Sequence, residues 1–324
     1  MAKAKEPRRL TGEVAAITGG ARGIGRATAQ ALVRQGMHVA IGDLDLEVAR
    51  RTASDLGGGT IALALDVTDR DSFGRFLDGV QDELGPIDVL VNNAGIMQIG
   101  RFLDEDDTTA QRMIDINLNG VILGMKLALP RMIARDRGHV VNIASQAGKF
   151  GAPGGATYSA TKHAVIGLSE AVLGELRHQG ANVDVSYVMP AVVKTELGSG
   201  LVETRGVKTL EPDEVAEAIV QALQFGTIDV WVPKSTKAIT RIMSLLPRAA
   251  AEWIGRALKA DRVLYDADYH TRRDYEERAA RSEPGLEAGA PPAPAPSAAA
   301  PSGSDGEASG NGAAADEAAE APAA

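Results

Sequence analysis

The order of apolar runs in this chain predicts an α/β fold: a three-layer, doubly wound parallel sheet of about seven strands, with a helical C-terminal extension and a disordered tail. Three observations carry that prediction. From Glu13 onward, short apolar runs of strand length alternate with longer segments of helical periodicity. The first run leads straight into a glycine-rich turn and then a helix. Polar residues able to do chemistry collect where successive apolar runs stop, at the strand ends where such sheets bind ligands.

The elements follow in order. Val14 to Ile17 reads as a buried strand, and Thr18-Gly19-Gly20-Ala21-Arg22-Gly23-Ile24-Gly25 follows it. Ala27, Ala31, Leu32 and Val33 then recur at helical spacing. Strand, glycine turn and helix form the context of a dinucleotide fingerprint, in which glycines let a pyrophosphate approach a helix N-terminus. The spacing here is G-x-x-x-G-x-G. Val39 to Asp43 is a second strand, with a helix from Leu46 to Leu56 that either Asp43 or Asp45 can precede as a cap. Thr60 to Leu65 is a third strand ending at Asp66-Val67, and Asp69 caps a helix running to Leu84. Ile87 to Val91 is a fourth strand that runs into Asn92-Asn93-Ala94-Gly95. A long helical region covers Asp107 to Arg135, with core positions at Met113, Met125 and Met132 and a bend expected at Pro130. His139 to Ile143 is a fifth strand, followed by Ala144-Ser145. Val183 to Met189 is a sixth, stopping at Pro190; Glu211-Pro212-Asp213 opens a helix; Ile228 to Val232 is a seventh strand.

Between the fifth and sixth strands lies Thr157-Tyr158-Ser159-Ala160-Thr161-Lys162, the start of a helix for which Thr157 is a candidate cap. Positions four apart share a helix face, so the Tyr158 phenol and the Lys162 ammonium can face one cavity. A nearby cation favours the phenolate, and a phenol brought down about three units from its usual value near 10 becomes a usable base at neutral pH. His163 points to another face and reads as structural.

Composition bounds the rest. The chain has 324 residues, enough for one large core, and no cysteine, which excludes disulfides and thiolate chemistry; its five histidines have no metal-ligand spacing. MAKAKEPRRL lacks the apolar stretch of a signal peptide, and no run of about 20 apolar residues appears, so a cytoplasmic protein is expected. The net charge of −9 includes seven acids beyond Arg281, where no Lys or Arg occurs, so residues 1–281 stand at −2. That balance gives no electrostatic case for nucleic acid. The organisation expected is a flexible lead-in at 1–10, a dinucleotide-binding and catalytic domain at 11–233, a helical extension at 234–281, and a disordered, solubilising Ala/Pro/Gly/Ser-rich tail at 282–324.

With TGGARGIG at 18–25, NNAG at 92–95, Ser145 and YSATK at 158–162 in view, the chain resembles the short-chain dehydrogenase/reductase family, whose fold is the NAD(P)-binding Rossmann sheet. The resemblance covers Leu10 to Val232. It implies that Tyr158 is the general acid/base, that Lys162 holds the nicotinamide ribose and depresses the phenol's pKa, and that Ser145 hydrogen-bonds the substrate oxygen. Asn117 would be the fourth member, positioning a water in the proton relay. The cofactor would lie against Gly19, Arg22, Gly23, Ile24 and Gly25, with Asp66 and Val67 at the adenine and Asn93, Ala94 and Gly95 as a floor. Tyr158, Lys162, Pro190, Val193 and Thr195 would complete its nicotinamide side. Asp43, about twenty residues past the first glycine, favours NAD, because a carboxylate accepts from the ribose and repels a 2′-phosphate. Arg22 argues for NADP with less weight. One departure is Ala191 where Pro-Gly is usual; its Cβ makes a positive φ less accessible. Homodimers or homotetramers are the family's usual assemblies.

Residues 234–264 read as two short amphipathic helices separated near Pro247, with cations at Lys234, Lys237, Arg241, Arg248, Arg256, Lys259 and Arg262. The preferred reading packs them over the substrate cleft or an oligomer interface; the sharper one is peripheral contact with anionic lipid. Together with Leu197, Leu201 and Val202 in the loop 196–209, they point to a hydrophobic, steroid-like or lipid-derived alcohol or ketone. Three functional classes fit: a dehydrogenase or reductase, a non-catalytic dinucleotide sensor, and an interaction protein. Asn117, Ser145, Tyr158 and Lys162 together favour the first.

Overall fold

A computed structural model describes residues 6–202, 208–257, 259 and 261–281. Seven parallel strands form one sheet: β1 (Val14–Thr18), β2 (His38–Asp43), β3 (Ile61–Ala64), β4 (Val89–Asn92), β5 (Gly138–Ile143), β6 (Val183–Pro190) and β7 (Asp229–Val232). Their order is β3-β2-β1-β4-β5-β6-β7, so the chain reverses direction across the sheet between β1 and β4. Every adjacent pair is parallel; Ala16 lies beside Ala40 on one side and Leu90 on the other. Near-continuous Val, Ile and Ala in these strands suit a sheet covered on both faces. The domain expected at 11–233 ends one residue past β7; the tail expected at 282–324, and residues 203–207 of the substrate loop, lie outside the described residues.

Helices α1 (Gly23–Arg34), α2 (Leu46–Leu56) and α7 (Pro212–Phe225) cover one face through Ala31, Leu32, Ala49, Val215 and Ile219. Helices α3 (Arg70–Leu84), α5 (Gly120–Ala134) and α6 (Ala156–His178) cover the other through Phe73, Phe76, Met125, Met132, Val165 and Leu173. Asp45 caps α2 by accepting from Val48 N, and Asp69 caps α3 by accepting from Ser72 N. Thr157 does not cap α6. Gly155 takes that place, and the Thr157 hydroxyl is spent on Glu105.

The long helical region is a composite. Helix α4 (Asp107–Ile114) passes through one wide turn of π geometry at Asp115–Asn119 into α5. The interruption expected at Pro130 falls instead around Asn117, and α5 runs on through Pro130. By length and composition 107–134 could cross a membrane, yet half of its apolar window is buried in the fold, with Met113, Met125 and Met132 in the core.

A buried polar chain ties the central elements together. Asn92 donates to Asn142 Oδ1 at 2.8 Å, Asn142 donates to Ser169 Oγ at 2.9 Å, and Ser169 donates to Val165 O. Gly124 makes room for it: a Cβ there would stand 2.3 Å from Asn92 Oδ1 and 2.8 Å from the Phe73 ring. Gly124→Ala is therefore expected to lower the thermal midpoint by several degrees, since overpacking of about 1–3 kcal/mol exceeds the gain of about 1 kcal/mol in helix propensity. A midpoint at or above the parent's in a calorimetric scan would contradict this packing.

Candidate active site

The carboxyl ends of the strands open into a cleft of about 1520 Å³ that reaches from the glycine turn to the C-terminal helices. Pockets for one small ligand usually run to roughly 300–1,000 Å³, so this one accommodates a nucleotide and a second molecule. Its walls include every predicted site residue except Gly25 and Asn117, which stand directly behind it.

The glycine turn is held open by its own packing. Gly19 and Gly23 have φ of +62° and +53°, a region that L side chains rarely adopt. A Cβ on Gly25 would lie 2.2 Å from Gly19 O. The N-terminus of α1 has no side-chain cap, so its first amides face the cleft unspent, as an anion site requires. Asp43, at the end of β2, accepts from Ala21 N and Asp45 N, both at 3.1 Å. Burial raises its pKa, and those two amides oppose the rise. Arg22 is tied to Asp45 at 3.0 Å. Asp66 turns its carboxylate onto the Thr68 amide and hydroxyl. These features fit the adenosine half of a dinucleotide.

The loop after β4 is braced from two directions. The Asn93 amide donates to Thr18 O and Gly19 O, each at 2.9 Å, locking the glycine turn to β4. Asn117, fully buried on the π turn, accepts from Ile96 N and donates to Ile96 O, both at 2.8 Å. Its second amide hydrogen goes to Thr161 Oγ1 at 3.3 Å. The side chain of Asn117, the residue expected to position a relay water, is thus spent on Ile96 and Thr161.

Ser145, Tyr158 and Lys162 do come together. The Ser145 hydroxyl lies on the Tyr158 phenol's side of the cleft and favours its phenolate, and Lys162 Nζ stands 5.6 Å from the centre of the phenol ring. Lys162 also donates to Ile143 O at 2.9 Å. Gly148 permits this approach, since a Cβ there would meet the Lys162 carbonyl at 2.6 Å. His163 bonds only its own helix, at Ser159 O. Ala191 keeps a negative φ and donates to Val232 O, so its methyl group does not disturb the turn after β6. Thr195 packs its methyl group against the Gly23 position.

The electrostatics differ from the sequence expectation. Burial pushes the Tyr158 phenol up to about 12, and the Ser145 hydroxyl only partly opposes it. Burial also lowers Lys162 to about 8. In the protein alone desolvation wins over the ammonium, because both groups are sealed from water.

Two features, a third C-terminal helix and the Gln146 bridge, escaped sequence reasoning, whereas the packing of two helices from 234–264 over the cleft was expected. Helix α10 (Tyr269–Arg281) is a third helix in the extension, and it brings Tyr275, Arg278 and Ala279 to the cleft. Helices α8 (Ser235–Leu245) and α9 (Arg248–Ala257) line it through Thr236, Ile239, Met243 and Ala251. Gln146 bonds Val232 O and Thr236 Oγ1, fixing α8 against the Ser145 segment. Only a charged, Tyr-bearing stretch was available to signal α10, and its apolar content is low.

Comparison with known proteins agrees with this geometry. Residues 13–206 match the family described as short chain dehydrogenase. Sorbitol dehydrogenase of Cereibacter sphaeroides is 42% identical over 195 residues, 60% of this chain and 75% of that one. The 3-alpha-(or 20-beta)-hydroxysteroid dehydrogenase of Mycobacterium tuberculosis is 36% identical over 216 residues, 65% of this chain and 82% of its own. The crystal structure of a short chain dehydrogenase/reductase from Burkholderia phymatum in complex with NAD matches with a TM-score of 0.68 at 25% identity, covering 73% of this chain and 94% of that one.

The raised phenol has a direct consequence. A Tyr158 held near 12 stays protonated through pH 10, the ordinary midpoint of a free tyrosine. In the ligand-free protein, phenolate absorbance of the parent minus that of Tyr158→Phe should stay flat from neutral pH to 10. A phenolate signal from Tyr158 near neutral pH would show that the ammonium outweighs burial.

Proposed function

This chain belongs to the short chain dehydrogenase family, and from that membership we propose that it interconverts a hydrophobic secondary alcohol and its ketone, with NAD as cofactor and Tyr158 as the general acid/base. The observation that carries the reading is the convergence of Ser145, Tyr158 and Lys162 on the cleft that the glycine turn also lines. A substrate oxygen set against both hydroxyls accepts from Ser145 and exchanges its proton with Tyr158 Oη. A bound nicotinamide supplies the hydride acceptor or donor.

The chain's residues do the rest. Amides at the N-terminus of α1 take the pyrophosphate, Asp43 the ribose, and Asp66 and Val67 the adenine. Asn93, Ala94 and Gly95 form the floor, and Pro190, Val193 and Thr195 flank the nicotinamide. NAD is favoured over NADP because the Asp43 carboxylate lines the cleft at the end of β2, where it would repel a 2′-phosphate, while Arg22 is paired with Asp45. Lys162, still mostly charged at neutral pH, biases Tyr158 toward the phenolate, and the cofactor's own positive charge adds to that bias when bound. Apolar walls from Ile96, Met97, Leu197, Leu201, Val263 and Leu264 suit a steroid-like or lipid-derived substrate. A homodimer or homotetramer in the cytoplasm belongs to the same proposal, on the strength of the family resemblance. A non-catalytic sensor would have no use for the buried Ser145–Tyr158–Lys162 set.

Tyr158→Phe should bind NAD like the parent in a fluorescence titration and lose turnover on a panel of secondary alcohols and ketones by about 10²–10⁴. NAD should outperform NADP in the same assay. Parental rates in the variant would remove Tyr158 from the mechanism.

A second reading concerns where the substrate comes from. Leu245 and Trp253 on α8 and α9 are 86% and 70% exposed, and Ile242 is 62% exposed, although the same helices wall the cleft. Arg241, Arg248 and Arg256 accompany them, opposed by Glu252. Such a surface fits peripheral contact with anionic lipid at the mouth of an apolar cleft. The full chain should co-sediment with phosphatidylserine vesicles but not with neutral ones, and Leu245→Ser/Trp253→Ser should abolish that binding. Failure of the parent chain to bind either vesicle ends this reading.

A further inference from the structure

The C-terminal segment is built into the substrate side of the cleft. Gly154 and Gly155, just before α6, admit it: a Cβ on Gly154 would meet the Tyr265 backbone at 2.9 Å, and one on Gly155 would meet Leu264 at 2.5 Å. Gly200 admits it again, with Asp268 O at 2.6 Å from where its Cβ would stand. Asp268 N donates to Gly200 O at 2.8 Å, and Val202 N donates to Val263 O at 3.2 Å. The segment leading into α10 is thereby fixed against two loops, the one before α6 and the one after β6.

Arg272 joins the loop after β4 to the one after β6. It is 0% exposed, which for a cation requires full pairing. One guanidinium nitrogen donates to Leu197 O and Ser199 O, both at 2.8 Å; another donates to Met97 O at 2.9 Å; Nε donates to Glu276 at 3.0 Å. The planar fork reaches three carbonyls on two loops, which an ammonium could not do. One turn on, Tyr275 Oη accepts from Met97 N at 2.7 Å. Both backbone groups of Met97 are therefore held by α10.

Tyr275 has something left over. Its oxygen accepts from Met97, and no acceptor among the described residues takes its own hydrogen. The side chain is buried, lines the cleft and stands within electrostatic reach of Tyr158. Burial shifts this phenol upward, so it remains a donor at any physiological pH. The phenol is thus a donor open to a ligand that enters the cleft.

We propose that Tyr275 contacts the substrate, donating a hydrogen bond to a second oxygen remote from the reacting carbon, and that Arg272 is the positioning residue that holds Tyr275 and both loops around it. The substrate class is thus narrowed to hydrophobic alcohols or ketones with a further carbonyl, ether or hydroxyl oxygen. The inference rests on the alcohol–ketone reading above.

Two probes separate the ideas: a polycyclic secondary alcohol bearing a ketone on its far ring, and the same alcohol with a methylene in place of that ketone. The parent enzyme should show a KM about fivefold to tenfold lower for the keto-alcohol. Tyr275→Phe should erase that preference, raising KM for the keto-alcohol severalfold more than for the methylene analogue, with the NAD dissociation constant unchanged. Arg272→Lys keeps the charge without the fork; it should raise KM for both probes and weaken the preference, again without touching NAD affinity. Equal effects of Tyr275→Phe on both probes, or no preference in the parent, would overturn the role of Tyr275. Loss of NAD affinity in Arg272→Lys would make Arg272 a general brace instead of a substrate-side one. A parent chain inert on every alcohol and ketone tested would fell the catalytic reading and this inference together.

Discussion

The loop that leaves β4 has no strand beside it, yet its backbone is held almost completely by side chains from distant parts of the chain. Thr18 takes the amides of Asn93 and Ala94, Asn117 takes both groups of Ile96, and Tyr275 and Arg272 take those of Met97. A buried backbone without such partners would cost about as much as several lost hydrogen bonds. Fixing this loop sets the floor of the cleft between the glycine turn on one side and the Tyr158 helix on the other. The π turn at Asp115–Asn119 belongs to the same arrangement, since it carries the asparagine whose amide reaches across.

The chemistry is prepared by burial as much as by charge. Tyr158 and Lys162 are both dry, which makes each neutral form more favourable than in water. The phenol is accordingly a proton donor in the free protein, and a basic phenolate becomes accessible only as positive charge is added nearby. In the proposed mechanism, control of the proton then lies with the occupancy of the cleft. A solvent-exposed Tyr–Lys pair would lack such coupling, because water would screen it.

The far side of the cleft follows a different logic. The glycine turn, Asn93 and Asn117 brace the side of the cleft proposed for the dinucleotide. Val263, Leu264, Tyr275 and Ala279 line the opposite wall. Glycines at 154, 155 and 200 let this C-terminal segment approach where any side chain would collide. Arg272 then converts contact into rigidity through three carbonyls.

Much of this was legible from local pattern. Apolar runs located all seven strands to within a residue or two, because a sheet buried on both faces demands uninterrupted hydrophobic stretches. The glycine turn, Asp43, Ser145, Tyr158 and Lys162 were identifiable because strand-end position and helical spacing are properties of sequence alone. Thr157 and Pro130 misled, since several residues could cap α6 and a proline near a helix end need not break it. Contacts over long separations were beyond local reading: Asn117 with Ile96, Met97 with Tyr275, Arg272 with Leu197 and Ser199. So was the direction of the Tyr158 shift. Spacing fixes which side chains share a face, but how much water surrounds them, and which carbonyl lies within reach of a buried guanidinium, is decided only when distant segments pack together.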